Sequence, residues 1–286
     1  MTADGPPPPP PSPPPLPQPP SPLPLTGPDG PWWPVREAYA AHGRAVVHGR
    51  WREWLPTDPQ GVALDPALRG VLDDRDRRRL RTLPRPAARG RFVASRLLLK
   101  HLVAAVSDTA PEAVRLAYEP GGRPYALCAG AGRVELSLSH TGDLLVAGVS
   151  RRGHIGVDVE AAGRPMRYAD VGRRLCAPAE RAALAGLAEP ERERALLRLW
   201  TLKEAYTKAL GRGMRLAFAG FEFDAAISGG GWRFTVSEVG SGWPSESHFI
   251  SSVWWQHECS VGGFGRELVE RPRRFGNNRM RAYDGG

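Results

Sequence analysis

Two short segments carry acidic and basic side chains at spacings suited to phosphate chemistry. One reads Gly-Val-Asp-Val-Glu and ends at Glu160, and the other reads Trp-Thr-Leu-Lys-Glu-Ala-Tyr-Thr-Lys and ends at Lys208. Alternating apolar side chains predict a strand in the first segment, with Asp158 and Glu160 on one face and roughly 6–7 Å apart. The second is predicted to be a helix, with Glu204 and Lys208 one turn apart. Three carboxylates and a lysine indicate a magnesium site that handles phosphate.

Each of these residues also has a plainer interpretation. Asp158 and Glu160 could face solvent on an edge strand, although acidic residues are depleted in strands and like charges on one face repel. Glu204 and Lys208 could form an ordinary surface pair that contributes only about 0.2–0.5 kcal/mol. Lys203 is harder to dismiss, because it falls within an apolar stripe of its predicted helix. A lysine there must extend to solvent or meet an anion.

Five further polar residues are candidates only in combination. Ser139 and His140 end a predicted strand, Arg123 follows two glycines, and Arg91 lies on a predicted helix. Arginine and histidine side chains at such places are plausible phosphate donors, but single residues of this kind are often structural. Glu180 lies in the first turn of a predicted helix, where the helix dipole alone favours a carboxylate.

Composition narrows the class of protein. The chain has 286 residues and a formal charge of +9, a balance that favours a polyanionic partner such as nucleic acid, a nucleotide-like cofactor or an acidic protein. Its three cysteines have neither paired spacing nor an even count, which predicts a reducing, cytoplasmic setting without a zinc site. No apolar run approaches the roughly 20 residues that a membrane span needs, and we expect no signal peptide and no membrane partner.

The order of predicted elements indicates an α+β fold. Residues 1–34 are rich in proline and are predicted to be a disordered arm outside the fold, and residues 241–286 are predicted to be irregular. Strands, then helices, then strands again argue against a βαβ repeat. The predicted elements are a hairpin of residues 134–139 and 144–149, helices at 178–187 and 190–210, and strands at 215–224 and 232–236.

Taken together and in this order, the motifs resemble those of the Sfp-type 4′-phosphopantetheinyl transferases. The resemblance covers roughly residues 65–225, and the last two motifs at their separation are its most specific part. The matching motifs are Gly122-Arg123-Pro124, Ser139-His140-Thr141, residues 156–160 and residues 200–209.

The resemblance implies a fold of two similar α+β halves related by a pseudo-twofold axis, with coenzyme A in the cleft between them. The halves would be residues 35–152 and 153–240, with the magnesium motifs in the second. The length of the chain is similar to that of the monomeric, pseudodimeric branch of the family, so we expect a monomer.

The resemblance also implies roles for individual residues. Carried over by matching position, the magnesium ligands would be Asp158, Glu160 and Glu204; the coenzyme A contacts would be Arg91, Arg123, Ser139, His140, Lys203 and Lys208; and the catalytic residues would be Glu180, Lys208 and Glu204.

The implied reaction moves the phosphopantetheine arm of coenzyme A to a serine of an apo acyl- or peptidyl-carrier protein. Two alternatives remain open. A magnesium-dependent nuclease could use the same acidic residues, but it gives no role to Arg123 or His140. A basic nucleic-acid-binding protein would need aromatic side chains to stack bases, and the arginine-rich segment 75–89 has none. We therefore expect no nucleic acid partner.

Overall fold

The computed structural model describes residues 21–55, 70–128, 132–223, 232–240 and 247–255. Within these ranges the α+β fold class is confirmed. None of the helices described is both long enough and apolar enough to cross a membrane. The helices are α1 (Trp33–His42), α2 (Asp74–Arg81), α3 (Pro86–Ser107), α4 (Tyr168–Leu175), α5 (Pro178–Ala185) and α6 (Glu189–Ala209).

The described strands form two sheets. The first has six strands in the order β1-β2-β6-β5-β4-β3, in which only the β1–β2 pair is parallel, and the second has the antiparallel order β7-β9-β8. The strands are β1 (Leu23–Pro24), β2 (Arg44–Arg50), β3 (Arg115–Tyr118), β4 (Pro124–Cys128), β5 (Gly132–Thr141), β6 (Leu144–Ser150), β7 (Ile155–Ala161), β8 (Trp232–Gly240) and β9 (Ser247–Trp255).

One long helix packs on each sheet. Helix α3 has a proline in its first turn, ends at the left-handed Asp108 and buries its apolar face in the core of the first sheet. Helix α6 likewise has a proline in its first turn, and Gly211 follows its end with a φ of 66°. It packs against β7 and β9 of the second sheet. Each sheet thus has its own hydrophobic layer.

Helix α6 approaches β7 unusually closely at Gly156. A Cβ atom added there would lie 1.9 Å from the carbonyl oxygen of Ala205 and 2.7 Å from the amide nitrogen of Ala209. Only a residue without a side chain permits this contact of backbone against backbone. Gly156 therefore sets the distance between the strand that carries Asp158 and the helix that carries Glu204.

The two sheets meet where β5 and β6 pack against β7. The amide of Val157 donates a hydrogen bond of 2.9 Å to the hydroxyl of Ser137, so a side chain rather than a backbone ladder joins the two strands. Gly148 on β6 lies under Ile155 and Val157, where an added Cβ would come within 2.9 Å of both side chains. This junction brings polar residues of β5 next to the acidic strand.

Most elements predicted around the motifs are confirmed. The hairpin is β5–β6, the acidic strand is β7, and the two helices are α5 and α6. The predicted strand at 215–224 is wrong in its described part, because the chain forms short 3₁₀ turns at Gly213–Arg215 and Phe218–Gly220 and is irregular from Phe221 to Phe223. The pseudo-twofold relation between the halves stays a prediction.

The predictions for the two ends of the chain need correction. Residues 21–34 belong to the fold: Leu23 pairs with Val47, Leu25 is 2% exposed, and the ring of Trp32 stacks on that of His101. In the region predicted to be an irregular tail, residues 247–255 form the central strand of the second sheet. The rest of the arm (residues 1–20) and the remainder of the tail (241–246 and 256–286) lie outside the described residues.

The close approach at Gly156 generates a stability prediction. Gly156→Ala should lower the melting temperature markedly, because its Cβ would overlap backbone atoms, which cannot move aside as a flexible side chain can, and overpacking typically costs about 1–3 kcal/mol or more. Gly163→Ala is the matched control, because nothing lies within 4 Å of an added Cβ there. Thermal unfolding followed by circular dichroism measures both. Equal melting temperatures for the two variants would contradict the close packing of α6 on β7.

Candidate active site

Asp158 lies at the centre of the polar residues that the two sheets bring together. It is 5% exposed, and its Oδ1 atom accepts hydrogen bonds from the Ser139 hydroxyl at 2.7 Å and from the Lys208 ammonium at 2.6 Å. Lys208 also donates to the Ser139 hydroxyl at 2.8 Å. The other oxygen, Oδ2, is buried and has no hydrogen-bond partner in the part of the chain that the structure describes. Half of this carboxylate is therefore available to a ligand.

Glu204 and Glu160 share the electrostatic environment of Asp158. Burial, followed by the negative charge of Asp158, raises the pKa of Glu204, and the positive charge of Lys208 only partly opposes this. Burial also raises the pKa of Glu160, against the opposing charge of Arg164 and with a further contribution from Asp158. Arg164 forms an ion pair with Glu160. The nearby positive charges therefore do not fully offset the effects of burial and of Asp158 on the pKa values of these two carboxylates.

The three carboxylates fit a hard divalent cation in charge and donor type, although they are not arranged as a finished site. Among the described residues, no group of three or more His, Cys, Asp or Glu side chains already has the geometry to hold a metal ion. The buried oxygen of Asp158, which has no partner among the described residues, and the raised pKa values of Glu160 and Glu204 are nevertheless features that a bound cation would relieve. Lys208 pairs with Asp158 and Arg164 with Glu160, so both neutralise part of this negative charge.

A cationic face adjoins the carboxylates. His140 keeps an exposed surface, but the protein around its ring removes part of its hydration and lowers its pKa, and the nearby charges of Arg91 and Lys208 lower that pKa further. The side chain of Lys208 keeps 29% of its surface exposed, and His140 is exposed overall, so both can reach a ligand. Three basic groups close enough for Arg91 and Lys208 to act on the ring of His140 make a site for an anion with several negative charges.

Arg123 lies at the same junction of the two sheets, but its guanidinium already contacts other protein groups. Its guanidinium forms an ion pair of 3.2 Å with Glu135, donates to the Ala209 carbonyl at 3.3 Å and contacts His154. Burial opposes ionisation of Glu135, yet its bonds to His154 and Arg133 and the charge of Arg123 hold its pKa at about 2. Arg123 therefore also fixes the end of α6, one residue beyond Lys208.

A cavity of about 340 Å³ opens beside these residues, between the first sheet and the end of α6. Arg123 and Lys208 line it, and the Nε atom of Arg123 is buried without a partner in the described ranges. A cavity of this size with basic groups in its wall suits part of a phosphorylated ligand. Its lining also includes Arg96, Tyr118, Ser137 and Gly122.

Two predicted site residues lie apart from the carboxylates. Lys203 was expected to face phosphate, but its side chain is fully buried and its ammonium donates to Glu180 at 2.6 Å and to three backbone carbonyls. That expectation is wrong for the structure as it stands, because every bond of the ammonium points into protein. Both carboxylate oxygens of Glu180 accept hydrogen bonds as well. The base role predicted for Glu180 stays a prediction.

Sequence reasoning missed two residues of the site. Arg164, four residues after Glu160 in the loop that follows β7, pairs with that carboxylate and places its guanidinium 5.6 Å from the ring of Trp200. Ser137 anchors β7 to β5. A basic residue close behind paired acids was a usable signal for Arg164, whereas Ser137 is distinguished only by the contact between sheets.

Comparison with known proteins supports the predicted resemblance. Residues 154–253, which contain both acidic motifs and β9, match the model of the 4′-phosphopantetheinyl transferase superfamily. The chain is 32% identical over 162 residues to slr0495 of Synechocystis sp., which carries a provisional 4′-phosphopantetheinyl transferase name; the match covers 56% of this chain and 65% of the relative. It is 30% identical over 131 residues to the 4′-phosphopantetheinyl transferase HetI of Nostoc sp., covering 45% and 55%.

A third relative is more distant. A phosphopantetheinyl transferase of Thraustochytrium sp. is 26% identical over 172 residues, covering 56% of this chain and 58% of the relative. In all three comparisons the chain spans less than two thirds of the relative's length.

The raised pKa of Glu204 leads to a prediction about how the stability of the protein depends on pH. Because the folded protein raises the pKa of Glu204 above its unfolded value, the folded state binds that proton more tightly, and stability falls as pH rises through this range. Without divalent cations at pH 7, Glu204→Gln should therefore be at least as stable as the wild type. The difference should vanish on acidification below both pKa values.

Denaturant unfolding across pH measures this effect. Glu191→Gln is the control, because Glu191 is exposed on the first turn of the same helix. Clear destabilisation of Glu204→Gln at neutral pH, relative to this control, would show that Glu204 is held by attractive contacts instead.

Proposed function

We propose that this chain is a 4′-phosphopantetheinyl transferase that uses coenzyme A and Mg²⁺ to modify a serine of an apo acyl- or peptidyl-carrier protein. The product would be the holo carrier, and adenosine 3′,5′-bisphosphate would leave. One observation carries the proposal: Asp158 is buried, one of its oxygens has no partner among the described residues, and Lys208 binds the other. Its charge also acts on Glu160 and Glu204.

The metal would be held by the three carboxylates around Asp158. Asp158 would offer its unpartnered Oδ2, and Glu160 and Glu204 would become fully ionised as a cation offsets their repulsion. When bound, Mg²⁺ supplies charge neutralisation at the diphosphate of coenzyme A. Lys208 can then contact the phosphate oxygens next to Asp158, and Arg164 is free to leave Glu160.

The cofactor would bind along the cationic face and into the cavity at the sheet junction. The charges of Arg91 and Lys208 help to lower the pKa of His140, and a bound anion would offset that repulsion. Arg123 lines the cavity with an unpartnered Nε atom. These contacts would hold the phosphates and leave the pantetheine arm directed toward the carrier.

The reaction needs an acceptor for the proton of the carrier serine. Both oxygens of Glu180 are occupied by protein donors, whereas Glu204 would be ionised beside Asp158 and Lys208 once the cation is bound. An ionised carboxylate within reach of the serine hydroxyl, directly or through a water molecule, can accept its proton. We therefore assign the base function to Glu204, and charge stabilisation of the leaving group to Lys208.

An acidic carrier fits the charge of the chain. The formal charge of +9 would attract a negatively charged protein and speed the encounter at low salt. We propose that the enzyme is a monomer, as the resemblance implies.

The transfer itself is tested by mass spectrometry. Incubation with coenzyme A, Mg²⁺ and apo carrier proteins of the fatty-acid, polyketide and peptide classes should add one phosphopantetheine group to at least one of them. Asp158→Asn and Lys208→Met should lower the rate by about 100-fold or more, because each removes charge stabilisation that is used in the reaction. Glu191→Gln, on an exposed turn of α6, should react like the wild type.

Two outcomes would contradict the proposal. Unchanged masses for all carrier classes would remove the transfer reaction. Magnesium-dependent cleavage of DNA or RNA that is lost in Asp158→Asn would favour the nuclease alternative.

A further inference from the structure

The ammonium of Lys203 is enclosed by protein oxygens. The side chain is fully buried, and the nitrogen donates to the carbonyls of Leu175 at 2.9 Å, Phe218 at 2.7 Å and Phe221 at 2.7 Å. It forms an ion pair of 2.6 Å with Glu180. An ammonium has three protons to donate, so four oxygens leave it no capacity for a phosphate.

Glu180 is equally occupied. Its Oε2 atom accepts from Lys203 and from the amide of Ala177 at 2.8 Å, and its Oε1 atom accepts from the amide of Phe223 at 3.1 Å. The Glu180 side chain is only 9% exposed. A general base must be within hydrogen-bond reach of the proton that it removes, and this carboxylate is directed into the protein interior.

The pair connects separate segments around α6. Leu175 ends α4, Ala177 precedes α5, and Phe218 to Phe223 belong to the chain that follows α6. Aromatic contacts continue the same junction, with Trp200 against Phe218 at 5.5 Å between ring centres. On the helix, Lys203 directly precedes Glu204, whose pKa is raised in part by the charge of Asp158.

We propose that Glu180 and Lys203 are positioning residues: their buried ion pair fixes the rotation and height of α6, and through it the place of Glu204 and Lys208 beside Asp158. Neither residue touches substrate, cofactor or metal. This inference rests on the proposed function for its catalytic consequence, but its structural consequence can be measured without any reaction.

Because the pair is buried, single and double substitutions can distinguish a positioning role from a catalytic role. Removing one partner leaves an uncompensated charge in the interior, which is strongly destabilising. Replacing both partners by neutral residues removes that charge penalty and leaves only the smaller cost of the three carbonyls that lose the Lys203 donor. If Glu180 acted on substrate, restoring the fold would not restore the reaction. The single and double variants therefore give different results under the two roles.

The experiment compares Glu180→Gln, Lys203→Met and the double variant E180Q/K203M with the wild type. Melting temperature, Mn²⁺ affinity by electron paramagnetic resonance, and kcat and KM for transfer are measured. Each single variant should melt about 10 °C lower and bind Mn²⁺ and transfer about tenfold less well. The double variant should recover to within about threefold of the wild type in Mn²⁺ affinity and kcat, with KM for coenzyme A unchanged.

A matched control pair joins the same helix to strand β8. Arg194 and Glu238 form a half-exposed ion pair, and their neutral variants R194M and E238Q should change Mn²⁺ affinity and kcat little, singly or together.

Two results would overturn the proposal. One is a Glu180→Gln variant that melts and binds Mn²⁺ like the wild type while kcat collapses. The other is a double variant that recovers its melting temperature but neither its Mn²⁺ affinity nor its kcat. If the wild type transfers nothing, the proposed function fails, and melting temperature with Mn²⁺ affinity still decides whether the pair positions α6.

Discussion

The structure depends on holding carboxylates close together where water cannot fully screen them. Asp158 is buried at the junction of the two sheets, and its charge helps to raise the pKa values of Glu160 and Glu204. Lys208 and Arg164 neutralise part of this charge, yet one oxygen of Asp158 keeps no partner in the described chain. A fold retains such a cost where a ligand relieves it. A divalent cation with a phosphorylated cofactor meets that description.

Backbone packing, more than any single charge, brings the acidic and basic side chains of the site close to one another. Gly156 lets α6 lie against β7, so the helix with Glu204 and Lys208 reaches the strand with Asp158. Ser137 binds the backbone of β7, and Ser139 binds Asp158 directly, so β5 holds the acidic strand from the other side. The glycine and serines that flank the motifs are thus parts of the site, because they determine the distances between its charges.

Local patterns predicted the elements near the site, and tertiary packing decided the rest. The alternation around Asp158 and the helical spacing of Glu204 and Lys208 are local, so both elements were correctly predicted. Residues 247–255 were missed because a strand buried between two others, with serines in its middle, lacks alternation. Lys203 was expected either to reach solvent or to meet an anion, with phosphate as the anion that the resemblance implied, and only the fold shows that it pairs with Glu180.

Location of the cation tests the central claim most directly. Crystals soaked with Mn²⁺ and coenzyme A, measured at the manganese absorption edge, should give one strong anomalous peak within about 2.5 Å of Asp158 Oδ2 and bordered by Glu160 and Glu204. Lys208 should have moved toward a phosphate oxygen. A metal peak elsewhere, or well-ordered coenzyme A with Lys208 still on Asp158 and no metal at the carboxylates, would contradict the account.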